Sequence, residues 1–251
     1  MTDEEGSVTT DPAEPRDAGD RRDEIATRLA AVRARIAAAC AAAGRASSEV
    51  TLIAVTKTYP VSDIRLLGEL GVSDIGENRD QEAAPKAAAC AALGLPVTWH
   101  FVGQLQTNKA ASVVSYAQVI HSVDRLRLVR ALGTRAGAAG RIVTCLVQVS
   151  LDDDPARGGA SGPVVAAVAD AVAEQDGLVL GGVMAVAPLG VPADVAFGKL
   201  RLVAEAVRSA HPGAVMISAG MSDDLEQAIE AGATHVRVGT ALLGGRRAFV
   251  R

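Results

Sequence analysis

The chain alternates short apolar runs of strand type with amphipathic stretches of helical type, and this alternation constrains its fold more than any other feature. Eight strands are predicted, at residues 51–55, 73–75, 97–102, 119–123, 142–149, 178–186, 214–218 and 234–238. Helical patterns separate them, at about 61–70, 79–93, 106–115, 124–138, 162–175, 193–210 and 223–231. Strands that alternate with helices in this way are parallel and are joined by right-handed crossovers.

A further helix, rich in Ala and Arg, is predicted from about Arg21 to Gly44, and it supplies the eighth outer helix. Eight such units in 251 residues match the size of a (β/α)8 barrel. The rival fold is an open doubly wound sheet, but no Gly-x-Gly-x-x-Gly follows the first strand. The sequence therefore predicts an α/β protein with a single TIM barrel over residues 21–251. Residues 1–20, which are rich in Asp, Glu, Pro and Gly, are predicted to be a disordered acidic tail.

Composition excludes several classes of function. Aromatic residues make up only 2% of the chain and its net charge is −4, so neither base stacking nor phosphate-backbone binding is favoured. Cys40, Cys90 and Cys145 are far apart and form no CxxC pair, which argues against a disulfide framework or a zinc site and fits a reducing cytosol. No signal-peptide core and no apolar run of membrane-spanning length is found. We expect a cytoplasmic protein that binds neither nucleic acid nor membrane.

Lys57 stands two residues after the first predicted strand, and it is one of only four lysines among 25 cationic residues. Arginine stays protonated in proteins, whereas a lysine sheltered from water can lose its proton and attack a carbonyl. Active groups of (β/α)8 barrels lie at the C-terminal ends of the strands, which is where Lys57 stands. Two interpretations remain open, a Schiff-base lysine and an ordinary strand-end lysine that reaches solvent.

The loops after the seventh and eighth predicted strands have the character of a phosphate site. Small residues and hydroxyls occur there, in Ser218-Ala219-Gly220-Met221-Ser222 and in Gly239-Thr240. Such residues let backbone N–H groups approach an anion, and this is the usual phosphate position of the fold. The alternative role for Ser222 is an ordinary helix N-cap. Because strands 8 and 1 adjoin in a closed barrel, an aldehyde that carries a phosphate would fit both Lys57 and these loops, and pyridoxal phosphate is such a molecule.

Six segments, in order along the chain, resemble the YggS/PROSC family of pyridoxal-phosphate-binding proteins. They are Ala54-Val55-Thr56-Lys57-Thr58, Gly76-Glu77-Asn78 followed by Gln81-Glu82, Trp99-His100-Phe101-Val102-Gly103 with Leu105-Gln106-Thr107-Asn108-Lys109, Gly182-Val183-Met184-Ala185, Ser218-Ala219-Gly220-Met221-Ser222-Asp223-Asp224 and Val236-Arg237-Val238-Gly239-Thr240-Ala241. The resemblance implies a barrel like the N-terminal domain of alanine racemase, with pyridoxal phosphate held as an internal aldimine on Lys57. It also implies a role in vitamin B6 homeostasis, as a carrier or buffer without established catalytic turnover.

The resemblance further implies which residues hold the cofactor. Ser222, Gly239 and Thr240 would bind the phosphate, with Ser218 nearby. Arg237 would face the pyridine nitrogen and keep it unprotonated, which weakens the ring as an electron sink. Two further residues, Asn78 and His100, would line the pocket.

Three positions depart from the pattern of the family. Arg79 stands where the family commonly has Tyr, Leu243 replaces a usual Phe, and Arg157 stands where a Lys often precedes glycine. We expect the first two to alter packing or polarity around the pocket. None of the three removes the lysine or the phosphate loops.

Other functions were weighed against this one. An amino-acid racemase would need a second acid/base, commonly a tyrosine from an additional domain, and the chain offers only Tyr59 and Tyr116. Tyr59 is expected to pack on the barrel rim. A metal site would have to combine His100 and His121 with Asp124, without the HxH pair common in barrels. A protein-binding scaffold is a third alternative. The predicted cofactor site is complete within one chain, so we expect a monomer. Apo enzymes that use pyridoxal phosphate remain open as partners.

Overall fold

The computed structural model of the chain describes residues 18–152 and 158–245. Eight parallel strands close into a barrel in sequence order, with β8 pairing to β1. The strands are β1 Thr51–Val55, β2 Asp74–Glu77, β3 Thr98–Phe101, β4 Val119–Val123, β5 Val143–Gln148, β6 Leu178–Met184, β7 Met216–Ser218 and β8 His235–Val238. The predicted TIM barrel is thus confirmed.

Helices surround the barrel. They are α1 Ala18–Ala42, α2 Val61–Glu69, α3 Asp80–Ala92, α4 Ala110–Tyr116, α5 Leu126–Ala139, α6 Pro163–Glu174, α7 Ala193–Ala210, α8 Leu225–Glu230 and α9 Thr240–Leu243. Short 3-10 helices occupy Ser47–Glu49 and Thr107–Lys109. Helix α1 begins before the predicted start at about Arg21, and residues 1–17 of the predicted tail lie outside the described residues. Within residues 18–152 and 158–245, no helix is both long and apolar enough to cross a bilayer.

The main hydrophobic core lies between the strands and the helices. Helix α1 illustrates how the sequence builds it, because Ile25, Leu29, Val32 and Ile36 recur at three- or four-residue spacing and all four are buried. That spacing places them on one face of the helix, as predicted from the pattern. The exposed positions between them are filled mostly by Arg and Ala.

Helix α1 also joins the first and last β/α units of the barrel through two arginines. Arg21 forms a buried ion pair with Asp63 of α2, with 2.6 Å between Nη2 and Oδ2. Arg35 pairs with Glu226 of α8 and donates a 2.8 Å hydrogen bond from Nη1 to the carbonyl of Ser222. The helix therefore closes the seam between the first and last units and also supports the loop after β7.

The interior of the barrel is unusually polar. In most barrels of this class it is filled by bulky branched aliphatic side chains. Here a small apolar cluster holds Val119, Leu146 and Met184, with Met216 packed against it. Polar side chains that bond to one another across the strands fill much of the remainder, and the buried ones are His100, His121, Ser218 and Arg237. This polar interior lies directly beneath the candidate site.

Candidate functional site

The carboxyl ends of β7, β8 and β1 meet on one side of the barrel and form the mouth. Ala54 pairs with Val238 across β1 and β8, and Ser218 pairs with His235 across β7 and β8. Lys57 therefore lies on the same rim as the turn after β8. Its side chain is exposed rather than sheltered. Within the described residues its amine makes no hydrogen bond or ion pair.

The backbone on both sides of Lys57 is held by buried or strained contacts. Thr56 donates from Oγ1 to Glu77 Oε1 at 2.7 Å, and Lys86 Nζ bonds both Glu77 Oε1 and the Thr56 carbonyl. Burial raises the pKa of Glu77, an effect that the Lys86 charge opposes. On the other side, Thr58 has a φ of 69°, which is costly for a β-branched residue, and its N–H bonds Glu82. Strain of this kind commonly marks a functional loop.

The loops after β7 and β8 are joined directly. The N–H of Ala241 donates to Ser222 Oγ at 3.3 Å. Helix α8 begins only at Leu225, so the alternative prediction that Ser222 caps this helix is wrong. Gly239 lies against β1, since a Cβ there would be 3.3 Å from the Val55 carbonyl oxygen. Thr240 is exposed at the rim. The structure thus brings the predicted phosphate residues together.

Asn78 lies at the end of β2 and is half-buried. The loop after β3 presses against its backbone, because a Cβ on Gly103 would lie 2.0 Å from the Asn78 carbonyl oxygen. The N–H of Val102 also bonds the Glu77 carbonyl at 2.9 Å. The Asn78 side-chain amide forms no hydrogen bond to any other described residue. It is therefore available to a ligand at the mouth.

Arg237 is a buried cation in the barrel interior, with 5% of its surface exposed. Its Nη1 donates to Ser218 Oγ at 2.6 Å and its Nη2 donates to the Ala185 carbonyl at 2.9 Å. No carboxylate of the described part of the chain lies within ion-pair distance of it. Burial lowers its pKa to about 10, against the weaker effect of the Asp224 charge. A buried charge without a counter-ion is costly, and a bound acceptor would offset that cost.

The structure places His100 inside the barrel, with 2% of its surface exposed. Its Nδ1 lies 2.9 Å from His121 Nε2, and its Nε2 lies 3.1 Å from Oδ1 of Asp74. Asp74 is the first residue of β2, at the end of the barrel opposite the mouth. Both ring nitrogens of His100 are therefore occupied by protein groups. Sequence reasoning did not assign a role to Asp74, although a polar residue that opens a buried strand is a signal of this kind.

Comparison with known proteins agrees with this geometry. The alanine racemase N-terminal domain family matches residues 27–247. The pyridoxal phosphate homeostasis protein of Mycobacterium tuberculosis is 45% identical over 91% of this chain and 95% of its own. The protein of that name from Escherichia coli is 37% identical over 89% of this chain and 97% of its own. The chain belongs to the pyridoxal phosphate homeostasis protein family.

A solved structure supports this family membership. PipY of Synechococcus elongatus, whose structure was determined with pyridoxal phosphate bound, superimposes with a TM-score of 0.77 at 35% identity. The match covers 88% of this chain and all of PipY. The YggS/PROSC resemblance drawn from six short segments is thereby confirmed at the level of the family and its fold.

Two of the three departures from the family pattern, Leu243 and Arg79, lie in the described part of the chain. Leu243 is buried at the end of α9. Arg79 is exposed just before α3. Arg157 lies outside the described residues. Neither of the two described departures disturbs Lys57 or the loops after β7 and β8.

The tyrosines that a racemase would need and the histidines that a metal site would need are bonded to other protein groups or buried. Tyr59 is buried on the rim, and its hydroxyl donates to the Gly244 carbonyl at 2.7 Å. Burial and the nearby Asp80 charge raise the pKa of Tyr116 far above its usual range. His100 and His121 do not converge on Asp124, which pairs with Arg125. The described residues contain no group of three or more side chains placed to hold a metal ion.

A separate groove of about 440 Å³ runs between α6 and α7 on the outside of the barrel. Its walls are largely apolar, with Lys199, Asp170 and His211 among the polar residues that line it. None of the residues predicted to bind the cofactor lines this groove. The mouth therefore remains the candidate site.

Proposed function

We propose that this chain binds pyridoxal 5′-phosphate at the mouth of the barrel, as a Schiff base with Lys57, and serves its intracellular homeostasis. One observation carries the proposal. The unengaged amine of Lys57 follows β1, and the buried, uncompensated guanidinium of Arg237 lies on the adjoining strand, where Ile53 pairs with Arg237. An electrophilic aldehyde and a ring nitrogen on one small molecule would satisfy both groups. The names of the relatives and the ligand bound to PipY point to the same molecule.

The chemistry asked of Lys57 is a condensation. The neutral Nζ adds to the aldehyde carbon, a C=N bond replaces the C=O bond, and the aldehyde oxygen leaves as water with the two protons of the amine. The cofactor supplies the aldehyde. The chain supplies an amine on a backbone held by Thr56 and strained at Thr58. Lys86 cannot substitute readily, because its amine is engaged by Glu77 and by the Thr56 carbonyl.

The phosphate would be bound by Ser222, Gly239 and Thr240. The Ala241 N–H to Ser222 Oγ contact supports this assignment, because it brings the two loops within reach of one anion. Asn78 would line the pocket. Ser218 and His100 have a supporting role instead, since Ser218 Oγ is used by Arg237 and by His121 and the ring of His100 is enclosed.

We propose storage or delivery rather than efficient turnover. A guanidinium opposite the ring nitrogen disfavours its protonation, so the bound ring would stabilise a carbanion weakly. Neither tyrosine is placed as a second acid/base, since Tyr59 is bonded on the rim and Tyr116 is buried near Asp80. A weak amino-acid racemase is the alternative. Chiral analysis of L-alanine incubated with the loaded protein tests it, and turnover comparable to a dedicated racemase would favour it.

Location and assembly are part of the proposal. Three buried free thiols fit a reducing compartment, so we propose the cytoplasm. Every proposed cofactor contact comes from one chain, which favours a monomer. Apo enzymes that need pyridoxal phosphate are the proposed recipients, because a carrier requires an acceptor.

The test is spectroscopic and chemical. Wild-type protein mixed with pyridoxal phosphate should give a yellow absorbance band, and borohydride reduction should place the adduct on the Lys57 peptide. Lys57→Ala should abolish the band, whereas Lys199→Ala, at an exposed lysine of α7, should leave it unchanged. A reducible adduct that persists in Lys57→Ala would refute the assignment of Lys57. Absence of any band in the wild type would refute cofactor binding itself.

A further inference from the structure

An unbroken chain of hydrogen bonds crosses the interior of the barrel and ends at Arg237. Asp74 Oδ1 lies 3.1 Å from His100 Nε2, and His100 Nδ1 lies 2.9 Å from His121 Nε2. His121 Nδ1 lies 2.9 Å from Ser218 Oγ, which accepts a 2.6 Å hydrogen bond from Arg237 Nη1. Five residues on five different strands thus form one polar array.

The end groups give this array a direction. Arg237 can only donate, so Ser218 Oγ accepts from it and has its own O–H to donate to His121 Nδ1. A neutral His121 then carries its proton on Nε2 and donates to His100 Nδ1. His100 in turn carries its proton on Nε2 and donates to the Asp74 carboxylate. Every link then has one donor and one acceptor, and the order runs from the cation to the anion.

The surroundings of the array favour this arrangement. His121 is fully buried, and burial together with the neighbouring His100 and Arg237 lowers its pKa well below the usual value. The hydrogen bond from His100 lowers the pKa of Asp74, so the carboxylate is the form that accepts. His235 is a further neighbour, 6.3 Å from His100 between ring centroids, but its Nδ1 bonds Thr234 and it takes no part in the chain.

We propose that Asp74, His100 and His121 are positioning residues that act through Ser218 to hold the Arg237 guanidinium towards the ring nitrogen of the cofactor. The inference rests on the proposed function. With both Ser218 and the Ala185 carbonyl in place, the two terminal nitrogens of Arg237 are fixed, which leaves the guanidinium a single orientation. Loss of an earlier link would leave the Ser218 hydroxyl free to rotate, so that it no longer holds Arg237 Nη1 in one orientation and the charge can turn away from the mouth.

Asp74 offers the clearest test because it cannot touch the cofactor. It opens β2, and the mouth lies beyond the other end of that four-residue strand, roughly 10 Å away at the usual rise per residue. Its side chain is 30% exposed, so substitution should leave the fold intact. An effect of Asp74 on cofactor binding would therefore have to be transmitted through the hydrogen bonds of His100, His121 and Ser218 to Arg237.

The experiment is a double-mutant cycle on affinity for pyridoxal phosphate. Asp74→Ala and His121→Phe are each made in the wild type and in Arg237→Met, and thermal unfolding of every variant verifies its fold. We expect about tenfold weaker binding in the wild-type background and less than twofold in Arg237→Met, since coupled residues are not additive. His211→Phe, at a histidine that pairs with Asp170 away from the barrel interior, should have no effect in either background. Equal weakening in both backgrounds, or none in either, would overturn the proposal.

A second measurement needs no cofactor. Nitrogen NMR of the apoprotein at neutral pH should find His100 and His121 neutral, each with its proton on Nε2, and Asp74→Ala should disturb the His100 signal. A proton on Nδ1 of His121, or a charged His100, would contradict the directed chain. If the wild type fails to bind pyridoxal phosphate, the proposed function fails and this one with it, whatever the NMR result. If the wild type binds normally and the cycle is additive, only the positioning role is refuted.

Discussion

At the scale of single residues, the proposed phosphate contact of the Thr240 hydroxyl can be tested separately from recognition of the rest of the cofactor. Thr240 is exposed at the mouth, beside the Ala241 N–H that bonds Ser222. Thr240→Ala should weaken binding of pyridoxal phosphate about ten- to a hundredfold, the loss expected for one hydrogen bond to a charged group, and leave binding of pyridoxal nearly unchanged. Comparative titrations with the two vitamers measure this difference.

The matched control is Thr134→Ala, at an exposed threonine of α5 whose hydroxyl bonds only its own helix backbone. It should change neither affinity. Equal weakening of both vitamers by Thr240→Ala would argue against a phosphate contact at this position, because pyridoxal has no phosphate to lose.

Residue positions at strand ends could be predicted, but partners across the barrel could not. Lys57, Gly239 and Thr240 follow the predicted strands β1 and β8, and that alone places them at the mouth. His121 was considered only as a metal ligand, because its contact with Ser218 joins residues 97 positions apart. Such a contact depends on which side chains face inward at the same height of a closed barrel, and strand alternation alone does not give that height.

At the scale of elements, the site requires the loops after β2 and β3 to touch. A Cβ at Gly103 would lie 2.0 Å from the Asn78 carbonyl oxygen, and backbone cannot yield as a flexible side chain can. Gly103→Ala should therefore lower the free energy of unfolding by about 2 kcal/mol or more and displace Asn78 from its proposed place in the cofactor pocket. Urea unfolding and cofactor titration measure the two effects.

Gly137 is the matched control for Gly103, because an added Cβ there meets no other atom. It lies exposed in α5, and a Cβ there would meet nothing within 4 Å. Gly137→Ala should stabilise the protein by about 0.5–1 kcal/mol, because alanine favours helix. If both substitutions changed stability in the same direction, the close approach at Gly103 would not be the cause.

The sequence predicted regular elements well and polar or very short ones poorly. Strands β1 and β4 and helix α7 have the predicted bounds, since each is bracketed by clear changes of pattern. Strand β2 extends to Glu77, which the pattern placed in a loop because a glutamate rarely ends a buried strand without a partner such as Lys86. Helix α9 was missed because it has only four residues, too few for a periodic signal.

At the scale of the whole molecule, alternation of strands and helices predicts closure but not the content of the barrel. Pairing of β8 with β1 follows from eight units that each turn the same way. The array from Asp74 to Arg237 was not predicted, since histidine and serine in a strand have several possible partners. Histidines in the barrel interior should lower the stability of the fold in acid, and this effect can be tested.

One buried histidine, His121, and one half-buried histidine, His235, should make the protein sensitive to acid. Burial lowers the pKa of His235 to about 4 from 6.5, and that of His121 well below its usual value. Between pH 6.5 and 4 the unfolded chain therefore binds more protons than the folded one, so the free energy of unfolding must fall as pH falls. For His235 alone the loss from pH 7.5 to pH 5 is about 2 kcal/mol.

Urea unfolding at pH 7.5 and pH 5 measures this difference, and His235→Gln should reduce it by about 2 kcal/mol because glutamine does not titrate. His211→Gln is the matched control, since that side chain lies outside the barrel interior and pairs with Asp170. An unchanged pH dependence in His235→Gln would mean that His235 takes up its proton in the folded barrel at about the same pH as in the unfolded chain. The charges of His235 and Arg237 would then share one buried space, which the folded state could tolerate only with a bound anion or by admitting water.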